Sequence, residues 1–202
     1  IIIIDVKVGN GALMKNLNDA KKLAKIMVKI GKAYRKPTIC ILTNMEEPLG
    51  YAIGNSLEVK EAIDTLKGNG PSDLLEIVIT LTSLIIGAYK KISNSEAREL
   101  IFKQINNGSA YKKFVEMVEA QGGDIEKIKY TEKVFSIKSE KEGYINRIDA
   151  LELGNIAKKI GAGRNSLDDV IDHEVGLVLS KKVGDYVEKD EELVKVYLKN
   201  KD

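Results

Sequence analysis

Two hydrophobic periods alternate along the chain. Residues 1–8 (IIIIDVKV) form a continuous β-branched run, the pattern of a strand buried in a parallel sheet. Gly9-Asn10-Gly11 breaks that run. Apolar positions then recur at helical spacing: Leu17, Ala20, Leu23, Ala24, Met27 and Ile30 predict one face of a helix over about 18–34, capped by Asn16 or Asn18 and stopped before Pro37. Residues 38–43 (TICILT) read as a second buried strand. Strand, helix, strand in this order predicts a right-handed βαβ crossover.

A loop with Pro48, Gly50 and Gly54 follows, then a short helix over 56–67 ended by Gly68. Residues 74–89 are apolar on nearly all sides, which predicts an interior helix starting at Pro71-Ser72-Asp73. Ser93 with Glu96 has the spacing of a capping box for a helix to about 106, and Ser109 opens another that ends at Gly122-Gly123. Beyond Asp124 the helical period gives way to short alternating segments. Residues 133–138 and 144–148 predict a hairpin around Glu142-Gly143. Asp149 with Glu152 predicts a capped helix closed by Gly161, and strands are expected over 176–180 and 193–198.

Composition narrows the picture. With 44% hydrophobic residues in 202, the chain can bury a real core and is not a disordered tail. Its 32 basic and 30 acidic residues are interspersed, which is not the footprint of a nucleic-acid binder. The single cysteine, Cys40, excludes a disulfide framework and a multi-thiolate zinc site. The opening apolar run is far too short to span a membrane and lacks a signal peptide's basic flank. An apolar strand at the first residue, without a Met, is read as a chain beginning in mid-fold, a fragment of cytoplasmic origin.

Few residues carry chemistry by type alone. His173, the only histidine, has no evident orienting partner for general-base work. Cys40 lies within an apolar strand, where a thiol behaves as a small hydrophobe. Asp5 and Lys7 share one face at the carboxyl end of the first strand, where open α/β sheets bind ligands; they either line a site or brace a loop. Gly9-Asn10-Gly11-Ala12 is either a cradle of backbone N–H groups for phosphate or a tight turn. Glu46, Glu47, Glu58 and Glu61 beside a glycine-rich loop offer hard oxygens for a cation, or else a solvated face. Val183-Gly184-Asp185-Tyr186-Val187, Glu192-Leu193 and Glu142-Gly143-Tyr144-Ile145 echo biotinyl and lipoyl domains, without a modifiable lysine at the tip.

These segments, taken in order, resemble one family. DVKVGNGALMK (5–15), PLGYAIGNSLEVKEAIDTLKGNGPSDL (48–74), AQGGD (120–124), residues 142–145, GAGR (161–164), DDVIDHEVG (168–176) and VGDYV (183–187) are similar to the second half of the pyrimidine-nucleoside and thymidine phosphorylases. The resemblance implies an α/β fold. Residues 1–124 would be the C-terminal part of a mixed or parallel-sheet catalytic domain and 125–132 a linker. Residues 133–202 would form a small α/β domain with a barrel-sandwich, lipoyl-like core.

It also implies an activity: phosphorolysis of uridine, thymidine or deoxyuridine, with inorganic phosphate as co-substrate, to free base and pentose 1-phosphate in pyrimidine salvage. The family's base donors, phosphate loop and histidine all precede this segment, so no catalytic residue is expected within it and the segment alone is expected to be inactive. What carries over is a potassium site with Leu49 and Ala52 as carbonyl ligands and Glu61 as carboxylate. Leu13 takes the place of a Phe that many members pack against the pyrimidine. Tyr51 fits the broad-specificity type. A homodimer with an N-terminal half is implied, with neither nucleic acid nor membrane as partner. Two other readings stand beside it: a non-catalytic binding module with a lipoyl-like terminus, and a phosphoribosyltransferase of related fold.

Overall fold

The structure, a computed structural model, describes residues 1–164 and 166–199; residue 165 and the last three residues of the expected 133–202 domain lie outside them. It is a mixed α/β fold. β1 (Ile2–Val8) and β2 (Thr38–Asn44) pair in parallel, Ile2 opposite Thr38 through Val8 opposite Asn44. α1 (Leu17–Ala33) crosses between them and packs on both. Its N-cap is Asn16, whose side chain accepts from the Asp19 N–H at 3.0 Å. The expectation that β1 is interior is not met. Val6 is its one buried position, and Ile2 is 44% exposed. The cause is that, among the described residues, β1 and β2 make a sheet of two strands, so β1 is an edge strand with no partner strand on its other side.

α2 (Asn55–Leu66), α3 (Ser72–Lys90), α4 (Asn94–Asn106) and α5 (Ser109–Ala120) follow. The Ser93–Glu96 capping box forms in full at the start of α4. Ile79 of α3 and Ile101 and Ile105 of α4 make a buried apolar cluster. The prediction of an interior helix for α3 fails nonetheless. Only Ile79 and Ser83 are buried, while Val78, Ile85 and Tyr89 are exposed. α3 packs against α4 and β1 and leaves its remaining apolar faces open.

The C-terminal part is built around a four-stranded sheet in the order β3-β6-β8-β4: β3 (Ala52–Ile53), β6 (Gly176–Leu179), β8 (Glu192–Tyr197) and β4 (Val134–Lys138). Helix α6 (Ala150–Lys159) begins at Asp149, which accepts from the Glu152 N–H at 3.1 Å. The predicted hairpin between 133–138 and 144–148 does not form. β4 pairs with β8, and β5 (Gly143–Tyr144) pairs instead with β7 (Tyr186–Val187). Gly143 sits at φ 149°, and the chain turns away there to a different partner. β3 is the consequential surprise: two residues from the early loop enter the late sheet as an edge strand.

Candidate cation-facing site on the 47–54 loop

The loop between β2 and α2 is short of local partners, so its polar groups must find distant ones. Its carbonyls can be accounted for one by one. Lys182 donates to the carbonyls of Pro48 and Gly50, the latter at 2.9 Å. The Leu179 N–H donates to the Tyr51 carbonyl at 2.9 Å. That bond makes Tyr51–Leu179 a hydrogen-bonded pair, so in the observed register Ala52–Val178 is the next, non-bonded pair. The N–H and C=O of Ala52 therefore point off the sheet edge. Among the described residues, no donor reaches the carbonyl of Leu49. Of the five carbonyls from 48 to 52, the C-terminal part takes three, and those of Leu49 and Ala52 are left.

Glu61 faces the same side. Its Oε1 accepts from the N–H groups of Tyr51 at 2.8 Å and Ala52 at 3.1 Å. A Cβ on Gly50 would lie 2.2 Å from Glu61 Oε2, and Gly50 adopts φ +69°, so glycine is required here on two counts. Burial pushes the Glu61 carboxyl above its ordinary pKa, against the pull of the two N–H bonds and with Asp73 and Glu58 adding to the rise. Leu49, Ala52 and Glu61 together line a cavity of about 420 Å³, shared with Lys7 and Glu58. The donor chemistry fits an alkali cation: carbonyl and carboxylate oxygens, with a carboxylate that burial leaves short of positive charge. Among the described residues no three His, Cys, Asp or Glu side chains gather as a metal-holding group, so any ion here would rely on carbonyls.

Asp73, in the first turn of α3, anchors the loop from another side. Its Oδ2 accepts from Gly50 N–H at 3.0 Å and pairs with Lys182 at 3.0 Å. Burial alone would raise its pKa. The Lys182 ammonium and the Gly50 and Leu74 N–H groups outweigh it and hold the carboxyl below its ordinary value. Neither Asp73 nor Lys182 stood out in the sequence. The nearest signal was the Val183–Val187 turn beside the lysine.

The other sequence candidates separate. Lys7 pairs with Asp5 at 2.7 Å, and Thr43 bridges the two, so both carboxylate oxygens of Asp5 are engaged. This is the brace reading, although Lys7 also lines the cavity. The phosphate-cradle reading of 9–12 fails. Gly9 N–H donates to Met14, Gly11 N–H to Met45 and Asn10 N–H to Glu46, so these donors are spent on a tight turn. Of the four glutamates, Glu46 is used in that turn and Glu47 accepts from Val183 N–H at 3.1 Å, while Glu58 accepts from Gly54 N–H at 2.9 Å. His173 contacts Asn55 through Nδ1 at 2.8 Å, and its carbonyl accepts from Ser56 N–H, pinning the start of α2. Cys40 Sγ lies 3.7 Å from the Ala24 carbonyl, between β2 and α1. Leu13 is 87% exposed and does not line the cavity that holds Leu49, Ala52 and Glu61.

A mixed α/β protein whose late sheet captures an early loop and lines a cavity with Leu49, Ala52 and Glu61 is the class this geometry defines. Comparison with known proteins makes it particular. Residues 144–202 match the family described as the pyrimidine nucleoside phosphorylase C-terminal domain. The whole chain is 46% identical, over 208 aligned positions, to a pyrimidine-nucleoside phosphorylase of Staphylococcus epidermidis, of which it covers 48%. It is also 46% identical to one from Geobacillus stearothermophilus, with 97% of this chain and 47% of the relative aligned. A third, from Staphylococcus aureus, is 43% identical over the full chain. Over its whole length the chain is similar to pyrimidine-nucleoside phosphorylases, and it spans about half the length of the curated relatives it matches.

Proposed function

We propose that this chain forms the C-terminal portion of an enzyme that cleaves uridine, thymidine or deoxyuridine with inorganic phosphate, giving the free base and a pentose 1-phosphate. The observation that carries the reading is the match over the whole chain, 46% identical, to an enzyme named for that activity. In such a reaction the phosphate displaces the base at the anomeric carbon. Catalysis then rests on holding two reactants and stabilising growing negative charge with fixed donors. This chain's share is positional. Leu49, Ala52 and Glu61 would hold a potassium ion, which when bound supplies a fixed positive charge. Glu61 keeps the loop in shape through Tyr51 and Ala52 N–H. Leu13, exposed on its loop, is available as an apolar wall for the base once another part of the protein faces it. The exposed face of β1 and the open faces of α3 suit coverage by a further chain segment, and the complete protein would be a cytoplasmic homodimer.

The test is phosphate-dependent release of uracil from uridine by a protein of full family length containing these residues. Release is expected there and is not expected from the 202 residues alone, which lack the donors to base and phosphate. No release by the longer protein under saturating phosphate would contradict the reading. A phosphoribosyltransferase is disfavoured because Asp5, its one acidic support, is engaged by Lys7 and Thr43.

A further inference from the structure

We infer that Lys182 is a positioning residue. Through its ammonium group the C-terminal domain sets the shape of the 47–52 loop and so decides which carbonyls face Glu61. The inference deepens the reading above and rests on it for what the loop is for, but its geometry stands alone. An ammonium has three N–H donors and no acceptor. Lys182 Nζ has three oxygens for them: the carbonyls of Pro48 and Gly50 and the Asp73 carboxylate at 3.0 Å. Glu47 stands further off at 3.9 Å, and the Tyr51 ring centroid lies 5.6 Å away, within cation–π range. Its side chain is only 14% exposed, so these contacts are little screened by solvent.

The lysine is itself presented rigidly. Its backbone N–H donates to Asp185 Oδ2 at 2.7 Å, Asp185 N–H returns to the Lys182 carbonyl, and the turn is tied to Ile145 through both Gly184 N–H and the Asp185 carbonyl. Val183 N–H adds a second tie, to Glu47. The loop is thereby gripped from residues more than a hundred positions downstream. The carbonyls of Pro48 and Gly50, on either side of Leu49, are bound to a fixed cation, and that of Leu49 is not. Without Lys182, Asp73 loses its counter-charge and the carbonyls on either side of Leu49 lose their donor, so the 48–50 stretch is held only through the Gly50 N–H, while Leu179 and Glu61 still hold Tyr51 and Ala52.

Amide hydrogen exchange of a protein of full family length containing these residues tests this. Lys182→Met is expected to speed exchange at Gly50, Tyr51 and Ala52 by roughly tenfold or more, while the amides of Ile101 and Ile105 stay as protected as before. Lys182→Arg, which keeps a cation of similar reach, is expected to restore most of the protection. Unchanged exchange in Lys182→Met overturns the inference. So do equal losses at Ile101 and Ile105, which would make the lysine a general brace, and so does a loop already unprotected in the unsubstituted chain. In the full-length enzyme, Lys182→Met is expected to raise the potassium concentration for half-maximal phosphorolysis roughly tenfold at little-changed maximal rate, and an unmoved midpoint would reduce Lys182 to a structural role. A full-length protein that releases no uracil would overturn the functional reading and leave the exchange result to judge Lys182 by itself.

Discussion

The β1–α1–β2 unit and the 47–54 loop are neighbours in sequence but are held by opposite means. The first is organised within 44 residues by apolar periodicity, a local cap and a parallel backbone ladder. The second has almost no local order. Its shape comes from Glu61, Asp73, Leu179 and Lys182, reaching it from a helix flank, a helix start, a strand and a turn. A contiguous hydrophobic pattern can specify a fold element that is still under-covered, as the exposure of Ile2 shows. A loop with no periodic pattern can still be fixed in shape when distant groups bind most of its backbone. Stability should therefore reside mainly in the apolar clusters and site geometry in the polar wiring, and substitutions can separate the two.

The largest effect should come from the core. Ile101→Ala is expected to cost about 3 kcal/mol in urea unfolding, because the side chain is buried against Ile79 and Ile105. Loop exchange in that variant should stay near that of the parent under native conditions. Gly50→Ala should cost about 2 kcal/mol, combining a left-handed backbone with a methyl group driven onto Glu61. Here the 50–52 amides should lose protection selectively. If the two regions are independent, the double variant should show the sum to within about 0.5 kcal/mol; a larger deviation would break the comparison.

Smaller effects sharpen it. Asp73→Asn is expected to cost about 1 kcal/mol near neutral pH, as for a part-exposed ion pair. Because the Asp73 pKa is lowered on folding, its contribution is present above the ordinary value of 3.8 and fades as pH falls through the depressed one. Parent and variant should converge in acid. Glu61 has the opposite sign. Its raised pKa means that ionisation penalises the fold once pH climbs past 4.5, so Glu61→Gln should gain stability relative to the parent from acid to neutral pH. A gain running the other way would show that the carboxylate is already compensated. Of similar size, Ser93→Ala should cost about 1 kcal/mol by removing the α4 cap, without touching the loop.

What could be read from the sequence follows the same division. The parallel βαβ unit, the α-helices of the described residues and the strands expected over 176–180 and 193–198 follow from period, caps and glycine stops, while the 3-10 turn at Ile125–Lys127 was not foreseen. The hairpin reading failed because β4 and β5 each had an attractive local partner and took distant ones instead, a choice set by sheet packing rather than by turn chemistry. α3 was read as interior because nothing in an all-round apolar helix says how much of it this chain covers. At the site, resemblance pointed to Leu49, Ala52 and Glu61, and the carbonyl accounting gives a physical reason why those two carbonyls differ from their neighbours. Lys182 and Asp73 could not be read, since a lysine 109 residues from its aspartate leaves no periodic trace.

The most direct test is a potassium titration of uracil release from uridine by the full-length protein, with choline as the reference cation, comparing the parent with Glu61→Gln. The account predicts strong potassium dependence in the parent and a dependence weakened at least tenfold in the variant. Equal rates in potassium and choline for the parent, or an unchanged potassium midpoint in Glu61→Gln, would contradict it.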